Sequence, residues 1–223
     1  MKEKIYTIPV NDAFDKKDGC PVCSIYEELQ KEETEKILGA SMMEPAVRIE
    51  TNKKGFCHKH FDLMYKNQKR LPLALILDSH IETINESLKD AKPEKQADYL
   101  KTLKESCYIC DKLNWHSDRV YSTILELFSK EKEFREKAKS QPLFCLNHYK
   151  ELVVKGKKQL SKKDFEEFFT IINNIEKAYL NTLSEDVKWF SKKFDYRNKD
   201  EDWKNSKDAL ERAVYTLTSE KIK

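Results

Sequence analysis

The sequence predicts an all-α protein, a helical bundle of two pseudo-repeats that each carry a metal site. Glycine occurs only 4 times and proline 6 times in 223 residues, so few positions favour tight turns. No segment alternates apolar and polar residues as a half-buried strand would. One pattern of cysteine and histidine occurs twice, which indicates a duplicated unit. These observations favour a single helical domain over residues 1–223.

The first pseudo-repeat, about residues 12–91, is predicted to hold four helices. Pro21 suits a first helical position, and Gly39 and Gly55 suit the ends of the first two helices. Apolar residues recur at helical spacing along the fourth. The predicted ranges are Val22–Leu38, Pro45–Asn52, Cys57–Gln68 and Pro72–Lys89.

The second pseudo-repeat, about residues 94–160, follows Pro93, and a closing helix with a C-terminal extension covers residues 161–223. Ser161 is suited to cap the closing helix, which is long enough to hold the two repeats together. Residues 195–202 are polar and predicted to be irregular. The predicted helices are Glu94–Glu105, Ile109–Ser129 with a continuation to Lys139, a Cys-x-x-His helix ending near Gly156, Lys162–Lys193 and Trp203–Ser219.

All six cysteines belong to the repeated pattern, a Cys-x-x-Cys pair followed by a Cys-x-x-His pair. The similarity extends past the ligands, because Gly-Phe-Cys-His-Lys-His-Phe at 55–61 parallels Leu-Phe-Cys-Leu-Asn-His-Tyr at 143–149. The candidate metal ligands are Cys20, Cys23, Cys57 and His60 in the first copy and Cys107, Cys110, Cys145 and His148 in the second.

Each copy is predicted to bind one zinc ion, two per chain. Zinc favours four ligands in a tetrahedron, and thiolate and imidazole suit it. Residues three apart share a helix face, so each pair can reach one ion, and two pairs complete a site. Both pairs are expected at helix N-termini, whose free N–H groups stabilise the negative charge of three thiolates around Zn²⁺. We therefore expect Cys20 and Cys23 to join Cys57 and His60.

The same cysteines and histidines allow other interpretations. Six buried cysteines without metal are disfavoured, because no cysteine is left over from the pattern. An iron–sulfur centre is an alternative, since histidine sometimes replaces a cysteine ligand. His58 competes with His60, but the second copy has Leu146 there. His80 and His116 stand alone on helices and are interpreted as packing or surface residues.

The filled coordination shells favour a structural role over catalysis. A catalytic zinc keeps one position open, and the sequence has no HExxH motif, P-loop or nucleophile elbow, so no catalytic residue is assigned. The function predicted is zinc binding in a protein that acts through protein interaction. The alternative is a thiol-based redox or zinc-release switch, because zinc thiolates can be oxidised.

Charge and hydropathy limit the partners. The 42 basic and 39 acidic residues are mixed throughout the chain, which is typical of solvated helix faces rather than a nucleic-acid surface. The longest aliphatic run, Leu71–Leu77, is far shorter than the roughly 20 residues that span a bilayer. We expect a cytoplasmic protein without a signal peptide, whose thiols stay reduced. The aromatic segment 189–203 either docks the last helix or forms a recognition surface.

The paired motifs and the ending Lys-Lys-Phe-Asp-Tyr-Arg at 192–197 resemble an uncharacterised bacterial family known only as a domain of unknown function. The resemblance covers nearly the whole chain and implies a bacterial cytoplasmic protein with these cysteines and histidines as metal ligands. It implies no activity. Residues 201–204 read Glu-Asp-Trp-Lys where the family pattern has Glu-Pro-Trp-Gly, so the turn that the family pattern implies there is left open for this chain.

Overall fold

Helices dominate the computed structural model, which describes residues 5–221. No strand occurs among these residues, and the prediction of an all-α fold is confirmed. The eleven α-helices of the described chain are α1 Thr7–Lys16, α2 Pro21–Ile37, α3 Pro45–Lys54, α4 His58–Lys66, α5 Arg70–Leu88, α6 Pro93–Glu105, α7 Tyr108–Lys130, α8 Lys132–Lys139, α9 Leu146–Gln159, α10 Lys162–Lys192 and α11 Ala209–Thr218.

The chain forms two compact units. Unit 1 comprises Met1–Ile25 with Asp118–Lys223, and unit 2 comprises Tyr26–Ser117. The boundaries between the units fall within α2 and within α7. Each unit therefore combines parts of both pseudo-repeats, while the single-domain organisation and the repeat boundaries stay predictions.

The core of unit 1 includes α1, a helix that the sequence analysis did not predict. Its buried residues Val10, Ala13 and Phe14 follow helical spacing. Phe14 packs on Phe134 of α8, with ring centroids 4.8 Å apart. The side-chain amide of Gln141 donates to the carbonyl of Phe14 at 2.7 Å. These contacts tie α1 to the segment that leads into the second Cys-x-x-His pair.

Helix α10 is the long element of unit 1 and packs against α8, α9 and α11. Its predicted cap is confirmed, because the Ser161 hydroxyl accepts from the backbone N–H of Asp164 at 3.1 Å. The predicted end of the Cys-x-x-His helix near Gly156 is wrong, since α9 continues to Gln159. Gly156 lies where α9 approaches α10, and an added Cβ there would be 3.4 Å from ring atoms of Phe165 and Phe168.

Unit 2 is built around α5, which contacts α3, α4 and α6. Its core holds buried side chains of α4, α5 and the first turns of α7, and of Phe56 before α4; among the helical ones are Met64, Ile76, Ile109 and Leu113. Gly55 ends α3 with φ at +60°, and an added Cβ would lie 2.8 Å from Nε2 of His80. The position therefore requires glycine for both its backbone angle and its space.

The segment after α10 folds back around one buried lysine, Lys193. Its ammonium donates to the carbonyls of Asn198, Lys199 and Glu201 at 2.5–2.9 Å. The ammonium also lies 5.4 Å from the ring centroid of Trp203. Part of the aromatic segment thus packs on itself, while Phe194 and Tyr196 are 76% and 85% exposed.

The last helix begins later than predicted. It starts at Ala209 rather than Trp203, because residues 204–208 form turns. Lys204 has φ at +51°, and its N–H is bonded to the Asp202 side chain at 2.6 Å. A turn with a left-handed residue therefore exists at the position where the family pattern has glycine.

Between residues 5 and 221 no helix combines the length and the apolar character that crossing a bilayer demands.

Candidate metal centres

The eight predicted ligands lie in two groups of four, each with three cysteines and one histidine, and each group could hold a metal ion. The outer site contains Cys20, Cys23, Cys145 and His148, the first and last pairs along the chain. The inner site contains Cys57, His60, Cys107 and Cys110, the two middle pairs. All ligands of the outer site belong to unit 1, and all ligands of the inner site belong to unit 2.

This grouping corrects the predicted one. Cys20 and Cys23 do not join Cys57 and His60, and Cys107 and Cys110 do not join Cys145 and His148. The reason lies in the helices that begin at the Cys-x-x-Cys pairs. Helix α2 has 17 residues and is about 25 Å long, so it leads the chain away from its own first turn. The Cys-x-x-His pair that follows meets the next Cys-x-x-Cys pair instead.

Each ligand pair opens a helix, as predicted. Cys20, Cys57, Cys107 and Cys145 each directly precede the first residue of a helix, namely α2, α4, α7 and α9. The second ligand of every pair is then the third helical residue, on the same face. In α7 the backbone N–H of Cys110 points to the sulfur of Cys107 at 3.5 Å. Two helix N-termini thus converge on each group and favour negative charge there.

The two segments of the inner site are joined by backbone. The N–H of Tyr108, next to Cys107, donates to the carbonyl of Gly55 at 3.0 Å. The Ser106 hydroxyl donates to the carbonyl of Lys54 at 2.7 Å. The positive φ of Gly55 turns the chain from α3 into this contact, which places Cys57 beside Cys107 and Cys110.

The distances between ligand atoms match the edges of one tetrahedron. A zinc ion with Zn–S bonds of about 2.3 Å and Zn–N bonds of about 2.0 Å has S···S edges of about 3.8 Å and S···N edges of about 3.5 Å. In the inner site the Cys57 and Cys110 sulfurs are 3.8 Å apart, and His60 Nδ1 lies 3.2–3.4 Å from the three sulfurs.

The outer site has similar dimensions. The sulfurs of Cys23 and Cys145 are 3.5 Å apart, and His148 Nδ1 lies 3.0–3.6 Å from the three sulfurs. All six thiols are free, and these S···S distances are far from the roughly 2.05 Å of a disulfide. Both groups therefore offer an unbonded Cys3His donor set around one centre.

The cysteines of the outer site are buried together, and this changes the pKa values of their thiols. Burial raises the pKa of Cys20, and the neighbouring sulfurs raise it further. Hydrogen bonds with the Cys20 and Cys23 thiols lower the pKa of Cys145. Three thiolates buried this close together therefore need a positive ion between them.

The histidine of the inner site is held ready to coordinate through Nδ1. Burial, with a smaller effect of Lys59, lowers the pKa of His60 to about 4, so the ring is neutral at pH 7. The amide nitrogen of Gln30 lies 3.1 Å from Nε2, on the far side of the ring. Rotation of this amide by 180° would place its oxygen there, where it would accept the Nε2 proton and leave the Nδ1 lone pair directed at the sulfurs.

Three polar residues beside the ligands were missed by the sequence analysis. Besides Gln30, these are Tyr215 and Ser219 of the C-terminal segment. The Ser219 hydroxyl lies 2.9 Å from the sulfur of Cys145. Tyr215 hydrogen-bonds the sulfur of Cys23, and burial is the main cause that raises the pKa of its phenol. No pattern around these three residues distinguishes them from ordinary helix residues.

The other histidines lie outside both groups. His58 is exposed. Nδ1 of His80 is 2.9 Å from the Asn52 carbonyl, and Nε2 of His116 is 3.6 Å from Glu33. Over residues 5–221 no third group of potential ligands was found.

Comparison with known proteins gives a family and no function. Among curated proteins and solved structures, no match to the chain was found. The model of one family, described as a family of unknown function (DUF6062), matches residues 1–223. The chain therefore belongs to this family of unknown function, in agreement with the resemblance seen in its motifs.

Proposed function

We propose that the chain is a zinc protein that binds two structural zinc ions, one in each Cys3His group, and acts through protein interaction. The observation that carries the proposal is the pair of four-atom groups whose S···S and S···N distances suit a single tetrahedral ion. The ligands are Cys20, Cys23, Cys145 and His148 in the outer site and Cys57, His60, Cys107 and Cys110 in the inner site.

The same geometry favours zinc over an iron–sulfur cluster. In each group the four ligand atoms lie within 4.8 Å of one another. A cluster contains two or four irons plus sulfide, so its protein ligands must spread around several metals. Four ligand atoms this close enclose one ion. Three sulfurs and one nitrogen in a tetrahedron are a donor set that zinc prefers.

A structural role follows from the coordination. Protein atoms fill all four positions, which leaves none for the water or substrate of a catalytic zinc. Each ion would join two segments that are distant in sequence, such as Cys23 and Cys145 in unit 1. The binding free energy of the ions then contributes directly to folding.

The interaction role is supported by the surface of the segment after α10. Phe194 and Tyr196 extend into solvent, whereas the neighbouring Trp203 is held by Lys193 and Phe190. Large exposed aromatic side chains are enriched at protein interfaces. The test is in-cell cross-linking of the parent and of a Phe194→Ser, Tyr196→Ser variant, which should lose cross-linked partners while its unfolding curve stays unchanged. Identical cross-links in both would contradict this role.

The zinc assignment is tested by metal analysis of protein purified without added metal. The expected result is two moles of zinc per chain, with a colourless protein. Removal by a chelator should unfold the chain, and zinc alone should restore its helical circular dichroism. Iron with visible absorption, or a metal-free chain that keeps its full stability, would refute the assignment.

A further inference from the structure

The two groups differ in which ligand faces solvent. In the outer site the three cysteines are at most 3% exposed, and the partly exposed ligand is His148. In the inner site His60 and Cys107 are buried, and the partly exposed ligands are Cys57 and Cys110. Solvent therefore reaches a histidine residue at the outer site and two cysteine residues at the inner site.

The C-terminal helix accounts for the protection of the outer site. Ser219 contacts the sulfur of Cys145, and Tyr215 contacts the sulfur of Cys23. The Asn147 side chain, within the same Cys-x-x-His turn, donates to the Thr218 carbonyl and to the Ser219 hydroxyl at 3.2 and 3.1 Å. These contacts hold the end of α11 over the sulfurs.

The inner site has a different environment. The sulfur of Cys57 makes polar contacts with Cys110 and His60, and the sulfur of Cys110 makes polar contacts with Cys57, Cys107 and His60. These two sulfurs come from different helices, α4 and α7, and are 3.8 Å apart. They combine access from solvent with a partner sulfur at short range, which are the two requirements for oxidation to a disulfide.

We propose that Cys57 and Cys110 are a modification site, at which peroxides form a disulfide and release the inner zinc ion while the outer ion stays bound. The inference rests on the proposed zinc binding and adds which site responds, through which sulfurs and to which class of oxidant.

The reaction balances with one peroxide. A sulfur of the pair attacks the O–O bond, an S–O bond forms, and hydroxide or alkoxide leaves, which gives a sulfenic acid. The second thiolate attacks that sulfur, the S–S bond forms, and the S–O bond breaks with loss of hydroxide. The two sulfurs lose two electrons and the peroxide gains them. Cys107 and His60 alone then hold the ion too weakly, and it dissociates.

The test uses the full chain loaded with two zinc ions, hydrogen peroxide as oxidant and a colorimetric zinc chelator as indicator. A single equivalent of peroxide should release one zinc ion per chain. Mass spectrometry after alkylation in denaturant should find Cys57 and Cys110 joined, with Cys20, Cys23 and Cys145 all alkylated. A thiol reductant with added zinc should restore two ions. We expect the inner ion to leave at least about tenfold faster than the outer ion.

A matched variant removes the polar contacts that the C-terminal segment makes with the outer-site sulfurs. Tyr215→Phe combined with Ser219→Ala removes the hydroxyls next to Cys23 and Cys145 and should speed loss of the second ion without changing the first. Release of both ions together from the parent, loss of the outer ion first, or no disulfide at Cys57 would each overturn the inference. Absence of zinc in the purified chain would instead refute the proposed function, so the two failures are distinguishable.

Discussion

The hydroxyl of Ser219, immediately after α11, lies 2.9 Å from the sulfur of Cys145. A residue near the C-terminus of the described chain is thus a neighbour of the outer metal group. Tyr215, one helical turn earlier, hydrogen-bonds the sulfur of Cys23 on the other ligand pair. The C-terminal helix therefore completes the surroundings of a site to which it contributes no ligand.

This relationship predicts how the outer ion depends on α11. Tyr215→Phe and Ser219→Ala should together weaken zinc affinity at the outer site by about 10- to 100-fold, because residues that hydrogen-bond ligands orient them and stabilise their charge. Competition with a chelator of known affinity measures this change. The inner affinity serves as the internal control, and Ser87→Ala, whose hydroxyl bonds only Thr83 in α5, should change neither. Equal affinities in the variant and parent would contradict the prediction.

A second prediction follows from the grouping of the first ligand pair with the last and of the two middle pairs with each other. Cys20→Ser should reduce the metal content from two ions to one and leave Cys145 open to alkylation in the native state. Cys57 should stay protected, because its ion is held with Cys107 and Cys110. Cys57→Ser is the reciprocal variant, and there Cys107 should be alkylated while Cys145 is not. Grouping within each sequence repeat requires the opposite result, with Cys57 alkylated in Cys20→Ser.

Local features of the site could be predicted from the sequence. Ligands three residues apart at a helix start share a face whatever the rest of the chain does, so each pair could be assigned from spacing alone. The same holds for the Ser161 cap and for helix boundaries near Pro21 and Pro93. Helix α1 could also have been found, because Val10, Ala13 and Phe14 have helical spacing.

Long-range features could not be predicted in this way. The grouping of pairs depends on where α2 and α7 lead the chain, and a repeated motif does not specify whether a repeat closes on itself. The burial of the outer-site sulfurs depends on Tyr215 and Ser219, and no sequence pattern identifies these two residues as neighbours of the site. The late start of α11 reflects the turn at Lys204, a residue with no intrinsic preference for positive φ.

The buried ammonium of Lys193 is a third point to test. Lys193→Met removes three hydrogen bonds and leaves the carbonyls of Asn198, Lys199 and Glu201 without their donor. The variant should lose about 2–3 kcal/mol of unfolding free energy. Urea unfolding followed by tryptophan fluorescence measures the loss, since Trp203 lies beside the ammonium.

The neighbour Lys192 is exposed, and Lys192→Met should change stability by less than about 0.5 kcal/mol. Equal effects of the two variants would show that burial of the ammonium is not what stabilises this segment.

The buried carboxyl of Glu176 in α10 is expected to make the free energy of unfolding depend on pH. It is 3% exposed, one oxygen accepts from the N–H of Phe144 at 3.3 Å, and the other has no hydrogen-bond partner. Burial, with a smaller contribution from Cys145, raises its pKa from 4.5 to about 7. The folded state therefore binds a proton that the unfolded state has released. The resulting stabilisation is complete below pH 4.5 and is lost as the pH rises through 7.

Glu176→Gln isolates this effect, because the amide keeps the shape and the acceptor for Phe144 but does not ionise. Relative to the parent, the variant should gain about 2 kcal/mol of unfolding free energy between pH 5 and pH 8. Denaturant unfolding at both pH values, with zinc in excess, measures the difference. The comparison with the parent cancels the effect of other groups that titrate in this range.

Glu166→Gln, which changes an exposed carboxyl on the same helix, is the control and should show no such change. A difference between Glu176→Gln and the parent that stays constant from pH 5 to pH 8 would show that Glu176 is already ionised in the folded protein at pH 5.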